Sequence, residues 1–543
     1  MKRILFIIFI LTSSSVIAQT YTHADSLRGG LRPERTAYNI YYYDLDLNVD
    51  ITNKFISGSV IIYFEIIDPE VNKMQIDLFN NMKVNSITDA NGNQLIYTRD
   101  ANAIFIERNN LAKKNEKSWI KVDYEGIPTT AKNAPWDGGF VWKKDKNGNP
   151  WVAVACQGVG ASLWWPCKDD QSDEADSVKI SVMVPSGLQV ISNGNLRSQS
   201  TFEDKVKFEW FVSYPINNYN VSINIGKYVN FNEKYKGVEA TYDLDYYVLD
   251  YNLEKAQKHF KQVVPMLNAF EKTLGPYPFP RDGYALIETP YLGMEHQSGI
   301  AYGNKFQKGY DGTERSGLPM GFDFIIVHES GHEYWGNNVG SKDVADMWIH
   351  EGFCTYSEAL YVEELYGADT ALAYCNAWKL LVSNDAPIVG DYGVGNEGSG
   401  DMYNKGALML HTLRWLVNDD KKWFAMLKNI QKDFRFKVVS GDELIKYINK
   451  QLGMDYTWLF DQYLKNADPP FLKYELYQNG NDLEVTIYWT NVSNQFKLPL
   501  SIDLGNGKCK KVEVTNQPQK ILLKKMKLRN FKVDDQHAYF LVK

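Results

Sequence analysis

One short pattern constrains this chain more than any other: His328-Glu329-Ser330-Gly331-His332, followed eighteen residues later by Glu351 within Trp348-Ile349-His350-Glu351-Gly352-Phe353. On a helix, positions i and i+4 share a face, so the imidazoles of His328 and His332 can grip one ion, and Zn²⁺ accepts that geometry. Glu329, one position along, projects beside such an ion and not onto it. Glu351 on a second apolar-periodic segment would be the third ligand, leaving one coordination position open for water, as catalytic sites require. The plainer alternative is a helix whose histidines are merely packed or solvated. Against it stand the downstream Glu and the helix-forming context of Phe322, Ile325, Ile326 and Trp335. Glu358, seven residues after Glu351, shares its helix face and is a candidate to hold a ligating histidine. Cys354 also lies close by, but a complete His/His/Glu set leaves it no role.

At 543 residues the chain is too long for one core. A net charge of −7 with no basic run argues against nucleic acid as a partner. Met1-Lys2-Arg3, the apolar run 4–11 and the small residues up to Ala18 have the three regions of a secretory signal. Val16 and Ala18 fit its cleavage site, so Gln19 is expected to open the mature chain. The apolar run is far short of the ~20 residues a membrane span needs. An exported protein, periplasmic or secreted, is expected. Five cysteines are odd in number and too few for a disulfide scaffold. Cys156 and Cys167 are close enough in sequence to bridge in an oxidising compartment; buried thiols are the other reading.

Hydrophobic period divides the chain. Tyr43, Leu45, Leu47 and Val49 alternate with polar residues, as do Val60, Ile62 and Phe64, then Val178 to Val184, Val206 to Val212 and Val221 to Ile225. Asn91-Gly92 and Asn193-Gly194 supply turn chemistry between such runs. After the leader 1–18, residues 19–245 therefore read as an antiparallel β domain. From Leu253 the apolar spacing turns helical, with a kink expected at Pro265. Helices dominate 246–468, one of them entered through a Ser440/Glu443 capping box. Asp468-Pro469-Pro470 breaks that pattern, and 469–543 reads as a small β domain.

Ahead of the first ligand stands Tyr291-Leu292-Gly293-Met294-Glu295-His296, after a strand expected over 285–288. With this segment the set resembles the zinc aminopeptidases of the aminopeptidase N and leukotriene hydrolase family, whose hallmark is G-x-M-E-N followed by H-E-x-x-H, eighteen residues and E. Trp335-Gly336-Asn337, Trp348 to Phe353, Tyr403-Asn404-Lys405-Gly406, Gln157 with Trp165-Pro166-Cys167, and Ser192-Asn193-Gly194-Asn195 extend the likeness over roughly 40–470. The resemblance implies a multidomain α+β fold: an N-terminal β saddle, a thermolysin-like α/β catalytic domain and a C-terminal β-sandwich. It implies one Zn²⁺ per chain and peptide substrates with a free N-terminus. It assigns Glu329 as general base and Tyr403 as donor to the oxyanion, with Glu295 and Gln157 holding the α-amine and Gly293 and Met294 pairing with substrate backbone.

Two departures qualify this. Leu292 and His296 replace the usual first Gly and the Asn of the hallmark, so side-chain preference does not transfer. Only a small β domain follows Asp468, so a more open cleft is expected. His296, His350 and His411 remain without a role. Two rival readings stay in view: a thermolysin-type endopeptidase lacking the amine clamp, and an inactive zinc-bearing scaffold that binds peptides.

Overall fold

The structure is a computed structural model that describes residues 21–108, 113–314, 321–504 and 509–543. The expected leader 1–18 and the cleavage point before Gln19 lie outside the described residues. Among the described residues, no helix is long and apolar enough to cross a membrane.

The first alternating run forms Tyr38–Asp50, whose inward residues Tyr43, Leu45, Leu47 and Val49 are fully buried. It pairs antiparallel with Phe55–Ile66 at the heart of a seven-stranded sheet. One pairing departs from the expected antiparallel pattern, because Ser177–Pro185 runs parallel to Tyr38–Asp50. The chain between them is long enough to cross over and return at the same end, which a hairpin cannot do. Two strands of that connection, Gly139–Lys144 and Pro150–Ala155, build a second sheet completed by Ile223–Gly226 and Gln189–Ser192. Val152, Val154, Val190 and Ile225 share one core with Val60, Ile62 and Val182.

Asn193-Gly194 is not a hairpin turn. Gln189–Ser192 pairs with Ile223–Gly226, whereas Asn195–Phe202 pairs with Lys205–Val212, so the dipeptide carries the chain from one sheet to the other. Gly194 has φ 73°, and a Cβ there would lie 2.2 Å from the Phe211 carbonyl oxygen. The Asn193 amide donates to the carbonyls of Asn220 and Gln297, tying this switch point to the catalytic part.

A five-stranded sheet carries the site, in the order Tyr228–Lys236, Thr241–Leu249, Tyr284–Glu288, Ile300–Tyr302, Gly293–Met294. Its first two strands come from the stretch read as the end of the β domain, and position 245 falls inside the second of them. Residues 244–247 pair in parallel with 284–287, so a hydrogen-bond ladder runs across the expected boundary. Helices follow. The break ahead of Pro265 appears as a 3₁₀ turn, Phe260–Gln262, between Leu253–His259 and Val263–Thr273. The Ser440/Glu443 capping box forms at the start of Gly441–Leu452. Beyond the Pro pair, a four-stranded and a three-stranded sheet enclose Leu483, Val485, Ile487, Trp489, Leu500 and Ile502, which is a small sandwich. Cys156 and Cys167 are buried free thiols.

Candidate active site

Phe324–Gly331 begins at Asp323, whose side chain accepts from the Ile325 N–H at 3.0 Å and also from Tyr302 Oη and Asn304 Nδ2. The helix start is thereby fixed to the end of Ile300–Tyr302, the strand beside the sheet's edge. Four residues apart, His328 and His332 bring their rings to 5.0 Å. Each Nδ1 is engaged: that of His328 with Glu358 Oε1 at 2.8 Å, that of His332 with the Trp335 carbonyl at 2.9 Å. A carbonyl or carboxylate oxygen can only accept, so each Nδ1 carries the proton and each Nε2 presents its lone pair to the cavity.

Glu351, on Trp348–Tyr366, places Oε2 at 3.4 Å from His328 Nε2 and 3.3 Å from His332 Nε2. Ligands ~2.0–2.2 Å from a tetrahedral Zn²⁺ lie ~3.3–3.6 Å apart, so these spacings fit that ion. Oε2 is buried and has no hydrogen-bond partner among the described residues, which a metal would supply. Burial alone would raise this carboxyl, but His332 and His328 overcome it and hold Glu351 well below the usual carboxylate range. Cys354 Sγ comes within 4.8 Å of ligand atoms of both histidines. It does not line the cavity, and it donates to the His328 carbonyl at 2.7 Å.

Around this set lies a cavity of about 460 Å³ lined by Gln157, Gly293, Met294, Glu295, Glu329 and Tyr403 among others. Glu329 is raised by burial, with His328 and His332 opposing. Gly293–Met294 is the edge strand of the sheet. A Cβ on Gly293 would fall 2.7 Å from Ile325 Cγ2 and 2.8 Å from Glu329 Oε1, so glycine is what lets the strand lie against the ligand helix. Glu295, buried, is pushed up to about 7 by desolvation, against His332 and with Glu351 adding. Gln157 reaches over from the β domain and donates to Glu295 Oε1 at 2.5 Å and to Glu351 Oε1 at 3.2 Å. Tyr403 stands its ring 5.9 Å from that of His328.

Several positioning groups were not legible in the sequence. Tyr219 Oη donates to Glu295 Oε1 at 3.1 Å, and Asn337 Nδ2 donates to the Glu295 carbonyl at 2.9 Å. Lys405 is buried and its Nζ donates to the carbonyls of Asn466 and Ala467, holding the Tyr403 helix to the approach of the sandwich. His350 accepts from the Ser341 N–H, His411 lies against the Gln536 carbonyl, and His296 is buried with neither ring nitrogen hydrogen-bonded among the described residues. None of the three lines the cavity.

A His/His/Glu donor set with a carboxylate beside it, roofed by a β domain that contributes an amide, makes this a metallopeptidase scaffold. The chain belongs to peptidase family M1: the model of the M1 N-terminal domain matches residues 40–219, and that of the family M1 domain matches residues 258–463. Probable aminopeptidase 1 of Sulfurisphaera tokodaii is 22% identical over 398 residues, covering 69% of this chain and 48% of that protein. Leucyl aminopeptidase of Saccharolobus solfataricus is 22% identical over 450 residues, covering 77% and 53%. Aminopeptidase B of Homo sapiens is 24% identical over 355 residues, covering 60% and 51%. This chain thus spans about half the length of these relatives. The M1 zinc metallopeptidase of Deinococcus radiodurans shares the fold with a TM-score of 0.66 at 20% identity, over 81% of this chain and 95% of that one.

Proposed function

We propose that this protein is a zinc-dependent aminopeptidase that removes N-terminal residues from peptides. The observation that carries the reading is Glu295: a buried carboxylate beside the ligand set, held by Gln157 and Tyr219 at the mouth of an edge strand. An α-ammonium is the group such a carboxylate suits. Held by His328, His332 and Glu351, Zn²⁺ would supply Lewis acidity to a water and to the scissile carbonyl. Glu329 takes the proton from the attacking water and delivers it to the departing amine; its raised affinity for protons suits that exchange. The Tyr403 hydroxyl donates to the carbonyl oxygen as negative charge develops there. Gly293–Met294 presents a free strand edge with which the substrate backbone can pair.

The test is a panel of free and N-acetylated aminoacyl amides, with and without chelator. Free-amine substrates should be cleaved, chelator should abolish turnover, and acetylation should lower kcat/KM by ~10-fold or more, the value of one charge-assisted contact. Internal cleavage of blocked peptides at equal rate would give the site to the endopeptidase reading. The leader pattern supports export to the periplasm or outside the cell; N-terminal analysis of the exported protein should find Gln19 first.

A further inference from the structure

The acidic side chains lining the cavity divide by what they already serve. Glu358 receives His328 Nδ1 and the Tyr374 hydroxyl, and Asp401 accepts from the N–H groups of Ser383 and Asn384. Glu295, Glu329 and Glu351 belong to the machinery above. Glu397 is left over. It lines the cavity, half-buried, and makes no hydrogen bond or ion pair among the described residues. No lysine or arginine is among the residues that line the cavity. Arg28, which acts on Glu397 through its charge, donates its guanidinium to the Gly158 carbonyl and forms no ion pair with Glu397 among the described residues.

The Glu397 carboxylate has a defined place. It rests on Gly158, the residue after the Gln157 that braces the amine clamp, and a Cβ at Gly158 would fall 2.0 Å from Glu397 Oε1. The loop that carries it is anchored on both sides: ahead of Glu397, Gly393 N–H donates to Asp343 Oδ2 at 2.9 Å and Asn396 Nδ2 to Tyr21 Oη at 2.7 Å, and behind it Ser399 Oγ donates to Asp385 Oδ1 at 2.7 Å. Burial and then the nearby Glu351 raise its pKa, with Arg28 opposing in part, and a bound cation would relieve the remaining cost. An unpaired carboxylate fixed beside the amine clamp, in an acidic cavity, recognises positive charge. Trp136 and Met402, which also line the cavity, offer apolar surface for an aliphatic stem.

We propose that Glu397 is a specificity-determining residue that favours substrates whose first residue bears a cationic side chain, lysine or arginine. The proposal rests on the aminopeptidase reading. Its test compares lysyl and norleucyl p-nitroanilides, which differ by the ε-ammonium alone. Wild-type kcat/KM should favour the lysyl substrate by ~10-fold or more at low ionic strength. That ratio should fall on adding salt, collapse toward one in Glu397→Gln, and survive in part in Glu397→Asp. A wild-type ratio near one, an unchanged ratio in Glu397→Gln, or an equal loss on both substrates would overturn it. Calorimetric titration of lysinamide and norleucinamide into the Glu329→Gln protein reads the same ratio without turnover. If the wild type cleaves neither anilide, the aminopeptidase reading fails, and the binding ratio still decides Glu397.

Discussion

Glu329 and Tyr403 both face the cavity, and the structure separates what each should cost when removed. The Tyr403 hydroxyl makes no hydrogen bond among the described residues, so Tyr403→Phe should change stability by less than ~0.5 kcal/mol. Its kcat should still drop by at least ~10²-fold if the hydroxyl supports the oxyanion. Glu329→Gln should lose at least ~10²-fold in kcat while retaining metal, since Glu329 is not a ligand. Steady-state kinetics beside metal analysis checks both; normal turnover in either variant removes that residue from the mechanism. The convergence of His328, His332 and Glu351 was legible because two share a helix face and the third follows at a fixed spacing. The residues that hold Glu295 were not, because Gln157 and Tyr219 lie 138 and 76 positions away in sequence. No local period records such contacts.

Between elements, the decisive contact is the crossing of Trp348–Tyr366 with Asn404–Val417. A Cβ on Gly406 would lie 3.2 Å from Gly352 Cα, so two glycines let the helix that presents Glu351 approach the helix that starts after Tyr403. In Gly406→Ala, helix propensity favours alanine by ~1 kcal/mol, while overpacking costs about 1–3 kcal/mol. These oppose, and the net loss of stability should be no more than about 2 kcal/mol. The function should be less forgiving: a shift of a few tenths of an ångström between Tyr403 and Glu351 should cut kcat several-fold with metal content unchanged. Wild-type kcat in this variant would show that the crossing does not set the geometry of the site. The sequence displayed both glycines inside recognisable motifs, yet only the packed helices show that they touch.

Over the whole molecule, the costs of burying charge appear in stability against pH. Glu288 ends a central strand and accepts from Leu249 N–H at 2.8 Å and Asn252 Nδ2 at 2.7 Å, joining the sheet to the first helices. Burial pushes its carboxyl up to about 7, with those hydrogen bonds opposing. Between its ordinary value and 7 the native state keeps a proton that the unfolded chain has lost. The contribution of Glu288 is therefore full below about pH 4.5 and is lost as pH rises through 7, on the order of 3 kcal/mol at most. Denaturant unfolding at pH 5 and pH 8 should show a smaller difference for Glu288→Gln than for the wild type; an equal difference would place the slope elsewhere.

By itself the sequence determined which His/His/Glu set would converge, the division into β, helical and β parts, and the helix start at Ser440, because all of these are local in period, spacing or capping chemistry. Only the tertiary structure decided that the strands around 245 join the catalytic sheet, that Asn193-Gly194 switches sheets, and that Ser177–Pro185 lies parallel to Tyr38–Asp50. Strand alternation records which face is buried and is silent on which strand lies alongside. For the same reason the cavity, with Gln157 brought over Glu295 and Glu397 seated on Gly158, exists only once the β domain and the helices have closed on each other.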